Sequence, residues 1–277
     1  MKNRQKVLSA LRYPFLVIGL ICILIPLYVT LVTALKTPAE SSANFFALPA
    51  SLYLENFKKI LTNTGFSTYV FNSFLITAGS LLGIVIFLPM LSYAIARNMG
   101  KKYYRFLFVY FTIGIFIPFQ VIMIPVTKLM TSLSFLNQGG LILLYITFSA
   151  IQGVFLYVGY MKTIPFELEQ AAYIDGCNVW QAYFKIFLPL LKPMTATILV
   201  TNGLWIWNDF LLPLLILNRS DKYWTLQLFQ YNFKSQYSFD YNLAFASFCL
   251  SMIPIIVFYA FGQKAMIAGL TAGAVKE

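Results

Sequence analysis

Histidine is absent from all 277 residues, and only nine side chains are acidic. Without histidine there is no Ser-His or Cys-His nucleophile and no imidazole for a metal. The few carboxylates are scattered or gathered in one loop, so neither a catalytic set nor a metal site is expected. Cysteine is also scarce. Cys22 and Cys249 fall within apolar runs and Cys177 lies in a polar stretch, which predicts no structural disulfide. The chain lacks a Gly-x-x-x-x-Gly-Lys segment as well. Its one Gly-Lys pair, Gly100-Lys101, has Ile95 where the first glycine would stand, so the chain binds no ATP by a P-loop. Any nucleotide-driven step belongs to a separate subunit.

Apolar residues fill the space that charge leaves. Hydrophobic residues make up 60% of the chain, charged residues 10%, and the mean hydropathy is +0.75, far from the ordinary globular mix. The apolar runs come in blocks of about 20 residues, enough to cross roughly 30 Å of hydrocarbon. They lack the alternation of barrel strands, so the chain reads as an all-α integral membrane protein. Six transmembrane helices are predicted near 14–35, 69–95, 106–127, 140–161, 194–216 and 243–262. The first is too long for a signal-peptide core and more spans follow it, so it reads as uncleaved.

Lysine and arginine set the expected orientation. Lys2, Arg4, Lys6 and Arg12 precede the first span, and Arg97, Lys101, Lys102 and Arg105 crowd the link between the second and third. Both segments therefore read as cytoplasmic. With six spans both termini lie inside, and 36–68, 128–139 and 217–242 lie outside. The charge of +11 is thus membrane topology, not a nucleic-acid surface.

Three of the nine acids sit in one polar stretch between the fourth and fifth spans, Pro165 to Pro193. Pro165 suits a helix start, Glu167 and Glu169 place negative charge at its positive end, and Leu168, Ala171, Ala172 and Ile174 are expected to form a compact face. Asp175-Gly176 ends that helix. A second helix is predicted from Asn178 through Trp180, Tyr183, Phe184 and Phe187 until Pro189 and Pro193, its aromatic face packed on the span ends. Periodicity alone fits an interfacial connector with no partner as well as a docking element.

The spacing adds to this. Gln170-Ala171-Ala172, then Gly176, then Ile186-x-Leu188-Pro189 resembles the EAA loop of ABC importer permeases. Asn72-Ser73-Phe74, Pro118-Phe119-Gln120, Ile124-Pro125, Trp207-Asn208-Asp209-Phe210 and the tail from Gly269 to Lys276 are similar to the sugar-type branch. The resemblance covers residue 70 to the end. It implies a type I ABC importer permease fold, with an N-terminal helix and external segment over 1–69, a core over 70–262 carrying a coupling loop at 165–189, and a cytoplasmic tail over 263–277. It further implies a non-catalytic subunit of a bacterial cytoplasmic-membrane importer for sugars. Its partners would be a second permease, two ATP-binding subunits (a homodimer or a pair) holding ATP and Mg, and an extracytoplasmic solute-binding protein. The coupling set carried over is Glu169, Gln170, Ala171, Ala172, Asp175, Gly176, Ile186, Leu188 and Pro189. Gln170 departs from the family, where glutamate usually begins the motif, so an ion pair inferred at that position loses its charge. Glu169 points about 100° away on an ideal helix and is no direct substitute.

Polar groups within spans are costly, which singles out Asn72, Gln120, Gln152, Asn202 and Asn208, with Trp205 beside them, as the substrate path. Amides and an aromatic face suit a sugar, but tryptophan also anchors span ends and buried amides also bond neighbouring helices. The alternatives are a permease for another small solute, an ion-coupled carrier, which calls for inverted repeats and intramembrane charge, and a membrane enzyme, which calls for clustered acids.

Overall fold

A computed structural model describes residues 2–62, 65–231 and 240–274, with side chains described over 13–62, 65–231 and 240–264. Every regular element among these residues is helical. In chain order they are α1 (Lys2–Ala34), α2 (Pro38–Ala43), α3 (Glu55–Thr62), α4 (Phe66–Arg97), α5 (Lys102–Gly114), α6 (Phe119–Ser132), α7 (Gln138–Met161), α8 (Glu167–Ile174), α9 (Val179–Ala182), a π-turn (Tyr183–Phe187), α10 (Leu188–Leu190), α11 (Lys192–Asn208), α12 (Leu211–Leu217), a 3₁₀ turn (Asp221–Tyr223), α13 (Leu226–Tyr231) and α14 (Tyr241–Ala274). Four helices are long and apolar enough to cross a membrane, and the count is six if each of two bent pairs makes one span.

The second bent pair joins Val179–Leu190 to Lys192–Asn208 at 67°, and two of the predicted spans are interrupted, one of them at the first bend. The run at 106–127 is not one helix, because α5 and α6 meet at 109°. Pro118 has extended backbone, φ −63° and ψ 135°, and a proline disfavours the helical region for the residue before it. The run at 194–216 breaks where Asp209 turns extended, φ −72° and ψ 132°. Asp209 Oδ1 then accepts the Leu211 amide at 3.0 Å and starts α12. At the C-terminus, α14 continues past Gln263 as far as Ala274.

The chain forms two compact units. The first gathers Met1–Ser67 and Phe229–Pro254. Its centre is the end of α1, whose last carbonyls need partners. Asn56 Nδ2 donates to Ala34 O at 2.9 Å and Lys36 O at 2.8 Å, and Asn242 Nδ2 lies 2.9 Å from both Thr33 O and Lys36 O. Lys36 is fully buried, its ammonium donating to Asn44 O and Phe45 O. Beside it Thr37 and Glu40 form a capping box that starts α2.

The second unit holds Thr68–Leu228 and Ile255–Glu277. Here α4 lies close on α7, because Gly79 faces Ile142 and Gly83 faces Ile146, with Gly153 returning the fit against Leu88. Gly79 and Gly83, four residues apart, thus let the two helices pack closely within this chain. Buried Ile84, Leu88, Leu141, Tyr157, Phe187 and Ile198 belong to one continuous core.

Candidate functional site

The loop at 165–189 is built from two capped arms. Asp175 ends α8, and Gly176 follows at φ +85°. The Gly176 amide donates to Tyr173 O at 3.1 Å and the Cys177 amide to Ala172 O at 2.9 Å. This is the paired closure of a Schellman turn, which wants glycine at the left-handed position. The second arm opens on a reciprocal cap, with Asn178 N to Gln181 Oε1 and Gln181 N to Asn178 Oδ1, both 2.9 Å. Pro189 has no amide to offer the Lys185 carbonyl and its ring crowds that turn. There the chain widens into the π-turn Tyr183–Phe187 before α10.

Most of the apolar face expected on α8 is exposed. Of Leu168, Ala171, Ala172 and Ile174 only Ala172 is buried; Ile174 is 86% exposed. The carboxylate turns inward instead, with Glu169 3% exposed. Its Oε1 accepts from Tyr93 Oη at 2.6 Å and Tyr173 Oη at 2.8 Å. Its Oε2 lies 2.8 Å from Arg97 Nε, an ion pair that approaches off the hydrogen-bond axis. The guanidinium also sits over the rings of Phe187, 4.3 Å from its centroid, and Phe166, 5.3 Å away. Burial, and then the bond to Glu169, push the Tyr173 phenol above its ordinary pKa. Removing one member of a buried pair typically costs about 3–5 kcal/mol, since the other is left uncompensated.

Arg97 is therefore not a free basic charge of the link between spans; it is the last residue of α4 and an internal partner. Nothing in the sequence signals this pairing across 72 positions beyond the presence of one acid and one base at span ends. Of the second arm, Ala182, Tyr183 and Phe187 are buried while Trp180 and Phe184 stay exposed, so its aromatic face packs only in part. Outward lie Gln170, Ala171, Asp175, Gly176 and Pro189, with Ile186 and Leu188 half-buried. Leu188 and Pro189 line a groove of about 400 Å³ with Lys192.

A second feature sits at the broken span. A cavity of about 640 Å³ opens beside the α5–α6 bend, lined by Ile115, Ile117 and Phe119 from the bend and by Gln152, Asn202 and Trp205. Three of the six predicted path residues thus meet at one place. Asn202 is internally engaged, accepting from Ser149 Oγ at 2.7 Å and donating to Ile198 O at 2.9 Å. Gln152 faces the cavity with no hydrogen-bond partner among the described residues. Trp205 is braced edge-on by Tyr145 at 5.4 Å.

The other three lie elsewhere. Asn72 is buried and donates to the Lys222 and Trp224 carbonyls, both 2.9 Å. Asn208 bonds back to Leu204 O in its own helix. Gln120 is exposed near the start of α6 and does not line the cavity. Asp209 braces its span end, accepting from Tyr145 Oη at 2.9 Å.

Long apolar helices, a bent span beside a cavity and a capped loop between spans define a polytopic membrane permease. Residues 79–271 match the binding-protein-dependent transport system inner membrane component family, and the chain belongs to it. It is 46% identical, over the full length of both chains, to the multiple sugar-binding transport system permease protein MsmG of Streptococcus mutans. It is 40% identical to the probable starch degradation products transport system permease protein AmyC of Thermoanaerobacterium thermosulfurigenes, over 91% of each chain. A chain of a bacterial ABC transporter involved in the import of the acidic polysaccharide alginate superposes with a TM-score of 0.82 at 22% identity, covering 94% of this chain and 96% of that one. This likeness establishes the fold as that of an ABC importer permease.

Proposed function

We propose that the chain is one permease of a heteromeric ATP-driven importer for sugars, with oligosaccharides as the substrate class. A second, related permease completes the path, and one of two ATP-binding subunits on the cytoplasmic face docks at the 165–189 loop. A solute-binding protein delivers the sugar from outside. The chain lies in a bacterial cytoplasmic membrane with the loop and both termini on the cytoplasmic side. It holds no cofactor, while ATP and Mg act on the partner. The observation that carries the docking role is the loop's construction. Its acid Glu169 is satisfied internally, and both arms are capped, so the outward Gln170, Ala171 and Ile174 form a stiff surface that a partner can move as a body. ATP binding on the partners then turns the path outward and hydrolysis resets it, provided that the partner contacts the loop differently in the two states.

The sugar assignment rests on the relatives' substrates and on Gln152 and Trp205, an open amide and a braced indole at one cavity. The test is uptake by the complex reconstituted with its partners in liposomes, using labelled malto-oligosaccharides and raffinose-series sugars. ATP-dependent accumulation of one of them is expected. Accumulation of amino acids, phosphate or metal ions in place of sugars would sink the substrate class. Uptake driven by an ion gradient without ATP would make the chain a carrier.

A further inference from the structure

We propose that Arg97 is a positioning residue for energy coupling, clamping both arms of the 165–189 loop to the end of α4 so that loop and helix move as one body. The proposal rests on the docking role given to that loop. Three observations converge on this side chain. Arg97 pairs with Glu169 in α8 at 2.8 Å. Its guanidinium lies over Phe166, which precedes the first arm, and over Phe187, which closes the π-turn of the second. One turn earlier in α4, Tyr93 donates to the same carboxylate at 2.6 Å and packs on Tyr183 and Phe187, at 5.3 and 4.9 Å between ring centroids. A single helical turn thus grips both arms of the loop.

The chemistry of the grip suits transmission better than stability. Arg97 Nη2 is buried without a hydrogen-bond partner among the described residues, and a buried ion pair is often no better for folding than an apolar pair of similar volume. A charge contact nevertheless fixes relative position, whereas apolar surfaces slide. What it fixes is long. From Arg97 to Asn72, whose amide is tied to the 222–224 carbonyls, α4 extends about 38 Å at the helical rise. Along the way Gly79, Gly83 and Leu88 mesh with α7 at Ile142, Ile146 and Gly153. The next turn of α7 beside Gly153 carries Ser149 and Gln152, which line the cavity. A push on the loop is thereby delivered to the cavity wall through close packing with little slack.

The test uses the complete complex in liposomes, with whichever labelled malto-oligosaccharide or raffinose-series sugar the wild-type complex accumulates. The double variant R97M/E169M removes both charges and refills the volume, R97K keeps charge but loses the planar stack, and Y173F removes one hydroxyl without unpairing a charge. Sugar imported per ATP hydrolysed is the readout, because a merely structural role leaves that ratio unchanged. The ratio is expected to fall at least tenfold in R97M/E169M and several-fold in R97K, with ATP hydrolysis and co-purification of the ATP-binding subunits within twofold of wild type. Y173F is expected to keep the wild-type ratio, since Tyr173 belongs to the same arm as Glu169. An unchanged ratio in R97M/E169M overturns the proposal, and so does loss of assembly in both Arg97 variants, which would make the pair a folding element only. A wild-type complex that imports no sugar would instead count against the functional reading itself.

Discussion

Gly176 provides a graded test of how the loop is held, because its backbone and its surroundings make separate demands. Its φ is +85°, yet a Cβ built there meets nothing within 4 Å. Substitution by alanine therefore carries no steric cost, only that of holding an L-residue in the left-handed region, about 1–2 kcal/mol. That energy lowers the ratio of correctly to incorrectly turned loops by a factor of about 5–30. If only the correct form docks, the apparent Kd for the ATP-binding subunit rises by up to that factor. Asparagine tolerates the left-handed region and should lose less. Proline, fixed near φ −65°, cannot make the turn and also removes the amide that donates to Tyr173 O at 3.1 Å. The expected order of affinity is Gly176, then Gly176→Asn, Gly176→Ala and Gly176→Pro, with membrane insertion equal in all four. Titration of purified ATP-binding subunit onto immobilised permease complex measures it. Alanine binding like wild type, or asparagine binding worse than alanine, would refute a turn held by its dihedral angle.

Other expectations follow from local geometry. In Gly140→Ala the new Cβ meets the Phe135 carbonyl oxygen, which is backbone and cannot yield, so a clear drop in thermal stability in detergent is expected. Gly159→Ala, with open space around it, should gain up to about 1 kcal/mol from helix propensity, and equal effects at the two sites would contradict the packing described. Tyr145→Phe leaves the buried side of Asp209 without its 2.9 Å donor and should cost about 1–3 kcal/mol, read as a lower unfolding midpoint. The Glu40 carboxyl is held below its usual range, chiefly by the Thr37 amide and then by the Ala50 amide. Its contribution is therefore complete above the ordinary carboxylate pKa and lost as pH falls through the depressed one. The protection of the Ala50 amide, corrected for the intrinsic pH dependence of exchange, should fall only in that acid window, and Glu40→Gln should remove the dependence.

Features set by neighbouring residues are legible in the sequence. The Gly176 turn, the Asn178 start and the apolar blocks each rest on neighbouring residues, and all are present. Features set by distant contacts are not. Nothing near Glu169 announces Arg97, and the compact face expected of Leu168, Ala171, Ala172 and Ile174 does not say which side of α8 packs on α4; the buried residues are Glu169 and Ala172. Pro118 signalled a kink, but its size, and the cavity it opens, depend on how α5 and α6 pack on α7. Among the polar span residues, composition could not separate Gln152, open to the cavity, from Asn72, which closes a turn 150 residues away.

Asn242 sets a schedule for biosynthesis. The end of α1 is partly closed as soon as Asn56 emerges, and the Thr33 carbonyl, which accepts the Lys36 amide at 3.2 Å, gains its second donor 209 residues later. Every helix from α4 to α13 is translated in that interval. The unit containing the first residues is consequently among the last to be completed, and a nascent chain cut short before Asn242 would leave the end of α1 without the Asn242 bridge between the Thr33 and Lys36 carbonyls.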